Sequence, residues 1–455
     1  MGAAVLVLVM VQLACQPFGG PEAAGRILYV AAGGAASGSC ESWVTACDLQ
    51  YALQQAAAAG DSLWVREGTH TPGLVRSSTF ALRSGVALYG GFAGTETRFN
   101  QRDVERHRTI LSGDVGAAGQ MGDNVYHVVT GSGADATAVL DGFTVSGGNA
   151  DEDVLHPQGG GGMYNLGGSP TVSNTIFSGN LSASGGGGMH NDYESSPRLA
   201  NVVFESNTAD TGGGMLNSHA SRPSLDNVTF RDNSAARSGG AMSNWMGSDA
   251  SLNNVDFTDN AVAGYEVNYT GGGGMYNHNS SPSLSNVNFS GNTVAHGCGG
   301  GMYNDAHSDA VLDNVSFDRN EAVFCGGGMH NAASSPRLTN VDFTDNLVVY
   351  NGGGMFNFAA SNASLTNVTF DHNTAQNRGG GLYNDDSSPA LLNVRFTRNA
   401  AAQFGGGMYN EGSSPNLANV TFDHNSAEAG GTGLYNDIDS TPNLLNVTFS
   451  GDSAN

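Results

Sequence analysis

The 455-residue chain carries 41 acidic residues against 17 basic ones, all arginine, for a net charge of −24. Such an acidic chain lacks the basic face that nucleic-acid binding needs. Without lysine it cannot host a lysine base, a Schiff base or a phosphate-cradling lysine. Its 67 glycines, with abundant Asn, Ser and Thr, favour turns and short strands over helices, and the lack of a three-residue glycine period excludes collagen.

Residues 1–25 read as an export signal. Ala3 to Ala14 form an apolar run too short to span a bilayer. Cys15 follows Leu13-Ala14, a pattern similar to a bacterial lipoprotein signal that ends in the lipid-accepting cysteine, although Gln12 stands where that motif wants leucine. The alternative is a signal cleaved before Arg26. Either reading exports the chain, as a secreted protein or on the cell surface or outer membrane of a bacterium. No later segment is long and apolar enough for a transmembrane helix.

Residues 26–140 are read as an N-terminal cap with irregular first coils, and residues 141–455 as regular repeats. Leu140-Asp141-Gly142-Phe143-Thr144-Val145 is a degenerate first copy. From residue 159 three landmarks recur: a Gly run followed by Met or Leu, any residue, then Asn; an Asn-Val-x-Phe; and an Asn three residues after that Phe. The first apolar position falls at 163, 189, 215, 242, 275, 302, 329, 355, 382, 408 and 434. The spacing is 26 or 27 residues, except for 33 between Met242 and Met275. Each unit holds three short apolar pieces separated by Asn, Gly or Ser-Pro, none long enough for a helix. Leucine-rich and nonapeptide calcium repeats need spacings that are absent. Three short strands and three bends describe one turn of a right-handed parallel β-helix, an all-β solenoid whose turns stack about 4.8 Å apart.

Within Leu225-Asp226-Asn227-Val228-Thr229-Phe230, Val228 and Phe230 share the inward face of a strand. Asn227 takes the bend, because Asn tolerates a left-handed backbone. The same position is Asn201, Asn254, Asn286, Asn314, Asn340, Asn367, Asn393 and Asn419 in other copies, and these side chains are expected to hydrogen-bond along the rod as a ladder. Asn227, Asn314, Asn367, Asn419 and Asn446 also match the N-glycosylation pattern, and are read as ladder members instead.

The GG-[GA]-[ML]-x-N and F-x-x-N pairing resembles the repeats of chlamydial polymorphic outer membrane proteins. More broadly it is similar to bacterial right-handed parallel β-helix repeat proteins, related in fold to pectate lyases. The pieces ILYVAAGG from Ile27, DSLWVREGTHTP from Asp61, LYGGFAGTET from Leu88, TILSGD from Thr109 and AVLDGFTVSGGNA from Ala138 extend the resemblance over residues 27–455. It implies a fold and hardly an activity, since lyases, hydrolases and adhesins share it. Many such relatives continue into a membrane barrel or a sorting domain. The last copy carries Asp452 for the expected Asn, and the chain is read as a fragment or as a rod packing end-on against a partner.

Cys298 and Cys325 each precede a Gly run in consecutive coils, so stacking brings them within disulfide range. Cys40 and Cys47 form a second expected pair. The residue between Met/Leu and Asn is expected to point outward, and it is Tyr164, His190, Tyr276, Tyr303, His330, Phe356, Tyr383, Tyr409 and Tyr435, interrupted by Leu216 and Ser243. That stripe is either a stacking platform for a polysaccharide or a column of like residues covered by flanking loops. Acidic loops such as Asp192-Tyr193-Glu194, Asp305 with His307 and Asp309, and Asp437 with Asp439 offer oxygen ligands that suit calcium, but none matches a defined motif; the plain reading is a solvated acidic face.

No catalytic set emerges. Arg198, Arg222 and Arg337 lie near turn prolines, and Asp385-Asp386 occupies a turn. The extra residues around Ala263–Tyr269 read as a ligand-contact loop. The expected role is an exported structural or adhesive rod that contacts polysaccharide or a host or cell-surface protein. The alternative is a polysaccharide lyase or glycoside hydrolase of the same fold.

Overall fold

A computed structural model describes residues 25–151, 159–264 and 271–454. The signal reading of the N-terminus, its Cys15, and residues 265–269 of the expected contact loop lie outside these. The chain winds as a right-handed parallel β-solenoid of about 14 turns, with three sheets running its length. Among the described residues no helix is long and apolar enough to cross a membrane.

The turn around residue 230 shows why the repeat takes this shape. Met215–Asn217 forms the first strand, Ser224–Arg231 the second and Ser234–Ser238 the third. Met215, Leu225, Val228 and Phe230 all point inward and are at most 1 % exposed. Asn227 breaks the alternation at φ 55°, so Leu225 and Val228, three apart, can both face the core. Each strand pairs in parallel register with its copy in the next turn, Met215 with Met242 and Phe230 with Phe257. The phenylalanines therefore stack through the core, ring centroids 4.6–5.0 Å apart and planes within 8°.

The Gly run closes the turn, and two of its positions are tight, although the second carries Ala241 in the next turn. Gly212 sits at φ 63°, and a Cβ on Gly214 would lie 2.8 Å from the Phe230 ring.

Three asparagine columns run along the rod. The bend column is exposed; Asn227 Nδ2 donates to Asn201 Oδ1 at 2.5 Å and Asn314 Nδ2 to Asn286 Oδ1 at 2.7 Å. It is not continuous as expected. Asn253 bonds Asp226 and then accepts from Asn286, which bypasses Asn254, and Asn340 donates to Asp313. In both gaps the neighbouring outward side chain competes for the amide.

The other two columns are buried. Asn191, Asn217 and Asn244 of the Met-x-Asn motif donate in sequence, Nδ2 to Oδ1 at 2.8 Å. The Asn after each Phe does more. Asn233 Nδ2 donates to both Asn260 Oδ1 and Phe204 O, while its backbone N–H also reaches Asn260 Oδ1. The longer copy leaves this intact, since Asn260 still bonds Asn292 across its extra residues.

In the first coils the sheet continues through Ile27–Ala35, Ser62–Arg66 and Ala87–Phe92 to Val139–Asp141. A short helical stretch, Leu49–Tyr51 and then Ala52–Ala56, adds Leu49 and Leu53 to the core.

Candidate functional site

The aromatic stripe is not a solvent-facing platform. Tyr276, Tyr383, Tyr409 and His330 are at most 4 % exposed. Tyr164, His190 and Phe356 are buried as well, and Tyr303 and Tyr435 partly so. The cover comes from the residue before each Gly run. The run reverses the chain so tightly that a Cβ on Gly326 would lie 2.2 Å from Met329 O. Gly271, Cys298, Cys325, Asn351, Arg378, Phe404 and Gly430 then bridge in parallel from turn to turn, a narrow ribbon alongside the stripe. Cys325 and Phe404 pack on Phe356, Tyr383, Tyr409 and Tyr435. The Arg378 guanidinium lies over the Tyr409 ring and donates to its hydroxyl at 3.2 Å. Tyr383 donates to Glu411, so its polar end is satisfied while its ring stays dry. These rings are packing, because the Gly turn folds the flanking residue over them.

Where the stripe shrinks to Leu216, a cleft of about 310 Å³ opens. The flanking chain is also small there: a Cβ on Gly185 would meet the Leu216 side chain at 2.3 Å. His190, Asp192, Ser218, His219 and Trp245 line the cleft, with Thr211 and Met246 at its margin.

The polar groups are wired together. Ser218 Oγ donates to Asp192 Oδ1 at 2.7 Å, and His219 Nδ1 reaches the same oxygen at 2.7 Å. The Tyr193 backbone N–H adds a third bond to Oδ1 at 3.0 Å. Burial acts to raise the Asp192 carboxyl, but the bonds from Ser218 and His219 outweigh it and hold the group below the usual carboxylate range. Asp192 is therefore ionised, and among the described residues its donors fall on one oxygen.

His190 Nε2 lies 3.0 Å from Ser218 Oγ. A hydroxyl has one proton, and here it goes to the ionised carboxylate, so His190 Nε2 must be the donor. Burial pushes His190 down to about 4, and its Nδ1 lone pair is left without a partner. This order, histidine to serine to aspartate, is not a nucleophilic triad, since the imidazole holds its proton toward the serine and has no free base beside it. A second unpartnered polar atom, Trp245 Nε1, lies in the same wall.

Aromatic faces flank the opening. Tyr193 stacks on His219 with centroids 4.5 Å apart and planes 2° from parallel, and Trp245 lies 4.7 Å from His278. Tyr193 is 58 % exposed and Met246 52 %.

The cysteine pairs form as read: Cys40–Cys47 and Cys298–Cys325 are disulfides with Cα–Cα distances of 5.2 and 4.6 Å. The acidic loops find local partners instead of gathering. Asp305 accepts from the Tyr276 hydroxyl and His278 Nδ1, and Arg222 pairs with Asp249 at 3.3 Å. Asp386 occupies a left-handed turn at φ 47°. The sequence reading placed His190 in the stripe and Asp192 among the acidic loops without joining them to Ser218 and Trp245. The signal was present in the stripe's two interruptions, where a cover built for rings has none to cover.

Residues 275–453 match the profile of the right-handed beta helix region family. No curated protein matches the chain in sequence. Among solved structures the chain is similar to a pectate lyase, Pel9A, at 12 % identity and a TM-score of 0.37, covering 87 % of this chain and 78 % of that one. It is similar to PfbA, a surface adhesin of Streptococcus pneumoniae, at 13 % identity and a TM-score of 0.38, over 81 % and 87 %. It is also similar to the catalytic domain of a GH87 alpha-1,3-glucanase, at 11 % identity and a TM-score of 0.42, over 92 % and 69 %.

Proposed function

We propose that this parallel β-helix is an exported binding rod that holds a saccharide in the cleft beside Leu216. One observation carries the reading. Asp192 takes three donors on Oδ1 and none on Oδ2 among the described residues, inside a cleft walled by aromatic rings. A sugar offers hydroxyl donors for a lone carboxylate oxygen and an apolar face for Trp245 and the Tyr193–His219 stack. The cleft's volume lies at the small end of ligand sites and suits one or two sugar units.

Binding fits the site better than cleavage. Glycoside hydrolysis commonly uses two carboxylates flanking the bond, and Asp192 is the one acid lining this cleft. The two disulfides support an oxidising, extracytoplasmic setting.

The test is a glycan array with the full chain, Asp192→Asn and Trp245→Ala, with release of reducing or unsaturated sugar assayed in the same wells. Binding without release, weakened at least tenfold in both variants, is expected. Equal binding by both variants removes the cleft from the reading. Sugar release favours the lyase or hydrolase alternative.

A further inference from the structure

A second constellation lies three turns further along, away from the cleft. Cys298, Cys325 and His330 bring one ligand atom each within 4.8 Å of one another, the one such group of three among the described residues. The cysteines sit on the covering ribbon and His330 beneath it in the stripe. His330 is 4 % exposed, and its Nδ1 has no hydrogen-bond partner. Its stripe neighbours, Tyr303 and Phe356, offer only ring contacts, with centroids 4.5 and 5.2 Å away. A histidine at this point gains nothing over phenylalanine in packing and leaves a polar atom unsatisfied. That cost is removed if Nδ1 has a ligand to bind.

We propose that Cys298, Cys325 and His330 form a redox-gated site for a thiophilic d¹⁰ cation, closed while the disulfide stands and open once it is reduced. The chemistry balances. A dithiol reductant supplies two electrons and two protons, leaves as its own disulfide, and converts the Cys298–Cys325 bond to two thiols. A zinc ion then displaces the two thiol protons, forms two Zn–S bonds, and accepts the His330 lone pair as third ligand. The fourth tetrahedral position is left to water or an external group. The backbone is already arranged for the site. Parallel bridging holds the two cysteine positions side by side whether or not the sulfurs are joined.

The test is zinc titration of the full chain, oxidised and reduced, against a chromophoric chelator, with cobalt as a spectroscopic probe. Far-UV circular dichroism monitors the fold throughout. The reduced chain is expected to bind one equivalent more than reduced Cys298→Ser, a comparison that discounts metal taken up at Cys40 and Cys47. Cobalt in that equivalent should show sulfur-to-metal charge transfer and intense tetrahedral bands. His330→Phe, a side chain the stripe already carries at Phe356, should keep the disulfide and lose affinity at least tenfold. Equal affinity in His330→Phe, equal equivalents in reduced wild type and Cys298→Ser, or loss of β signal on reduction would each overturn the proposal.

Discussion

The buried asparagine after each phenylalanine should matter more to the rod than the asparagine at the exposed bend, and Asn260 allows the difference to be worked out. Truncating Asn260→Ala removes four side-chain bonds: two onto Oδ1 from the Asn233 backbone N–H and Nδ2, and two from Nδ2 to Phe230 O and Asn292 Oδ1. Asn292 Oδ1 keeps a donor in the Asn260 backbone N–H, and Asn233 Nδ2 keeps Phe204 O. The Asn233 N–H loses its partner in a position that is 1 % exposed. At about 1 kcal/mol net per bond, plus about 1–3 kcal/mol for the stranded amide, the cost comes to about 5–7 kcal/mol. Asn286 is the control. It makes two exposed bonds, to Asn253 and from Asn314, at φ 54°. Asn286→Gly keeps the left-handed backbone without strain and should cost about 1 kcal/mol or less. Native-state hydrogen exchange read by mass spectrometry, peptide by peptide, localises each effect, which matters in a solenoid that need not unfold as one unit. Asn260→Ala should loosen the turns on both sides of residue 260. If its protection loss is no greater than that of Asn286→Gly, the argument that burial makes the inner column dominant is wrong.

Other measurements probe the remaining contacts. Tyr383→Ala should destabilise the rod by about 3–5 kcal/mol, as buried aromatic truncations do, while leaving glycan affinity unchanged; a loss of affinity without a loss of stability would return the stripe to a binding role. His190 and His330 are lowered from 6.5 to about 4 and about 3 by burial, so the unfolded chain binds more protons across that window. Stability should be full above pH of about 6.5 and fall as pH drops through those values, and His330→Phe should flatten the melting-temperature profile. The depressed carboxyl of Asp192 acts in the same sense at lower pH, its contribution present above about 3.9 and lost on further acidification. The Cys298–Cys325 bond closes a separation of 27 residues, and loop entropy gives it about 3.5 kcal/mol; denaturant midpoints of Cys298→Ser measure this, and an unchanged midpoint would show that the unfolded chain is not what it constrains.

The repeat made most of the fold readable. Met, Leu, Val and Phe recurring at fixed offsets can all face inward only if each copy is one turn, and the left-handed Asn between Leu225 and Val228 follows from that packing. Cys298–Cys325 was readable for the same reason, since stacking converts a distance along the chain into one between turns, whereas Cys40–Cys47 was readable from a separation of only 7 residues. The stripe's two readings stayed open in the sequence because alternation along a strand tells which side of the sheet a residue takes and not what lies over that side. Tyr383 does leave the core, but the next reversal folds Phe404 and Arg378 onto its neighbours. The cleft escaped notice because its members come from separate turns, His190 and Asp192 from one, Ser218 and His219 from the next, and Trp245 from a third. No single copy contains the set. Two of the three asparagine columns were visible only as landmarks, since a consensus letter does not say whether an amide meets water or another amide.

The inner columns also give the rod a direction. Each amide-to-amide bond runs from Nδ2 to the Oδ1 of the turn that follows, so Asn165 has an oxygen with no donor, and in the other column Asp452 accepts from Asn425. A chain built this way can be edited in whole periods and in nothing smaller. Excising residues 355–381 would set Leu382 where Met355 stood and rejoin Asn331 to Asn384 with every column in phase. Removing half as many would align amides with methyl groups and rings with carbonyls. Unequal recombination between copies is then filtered by the columns themselves. Rod length becomes a quantity that inheritance can count, one turn at a time, while the loops outside the columns, as the longer copy after Met242 shows, are free to diverge.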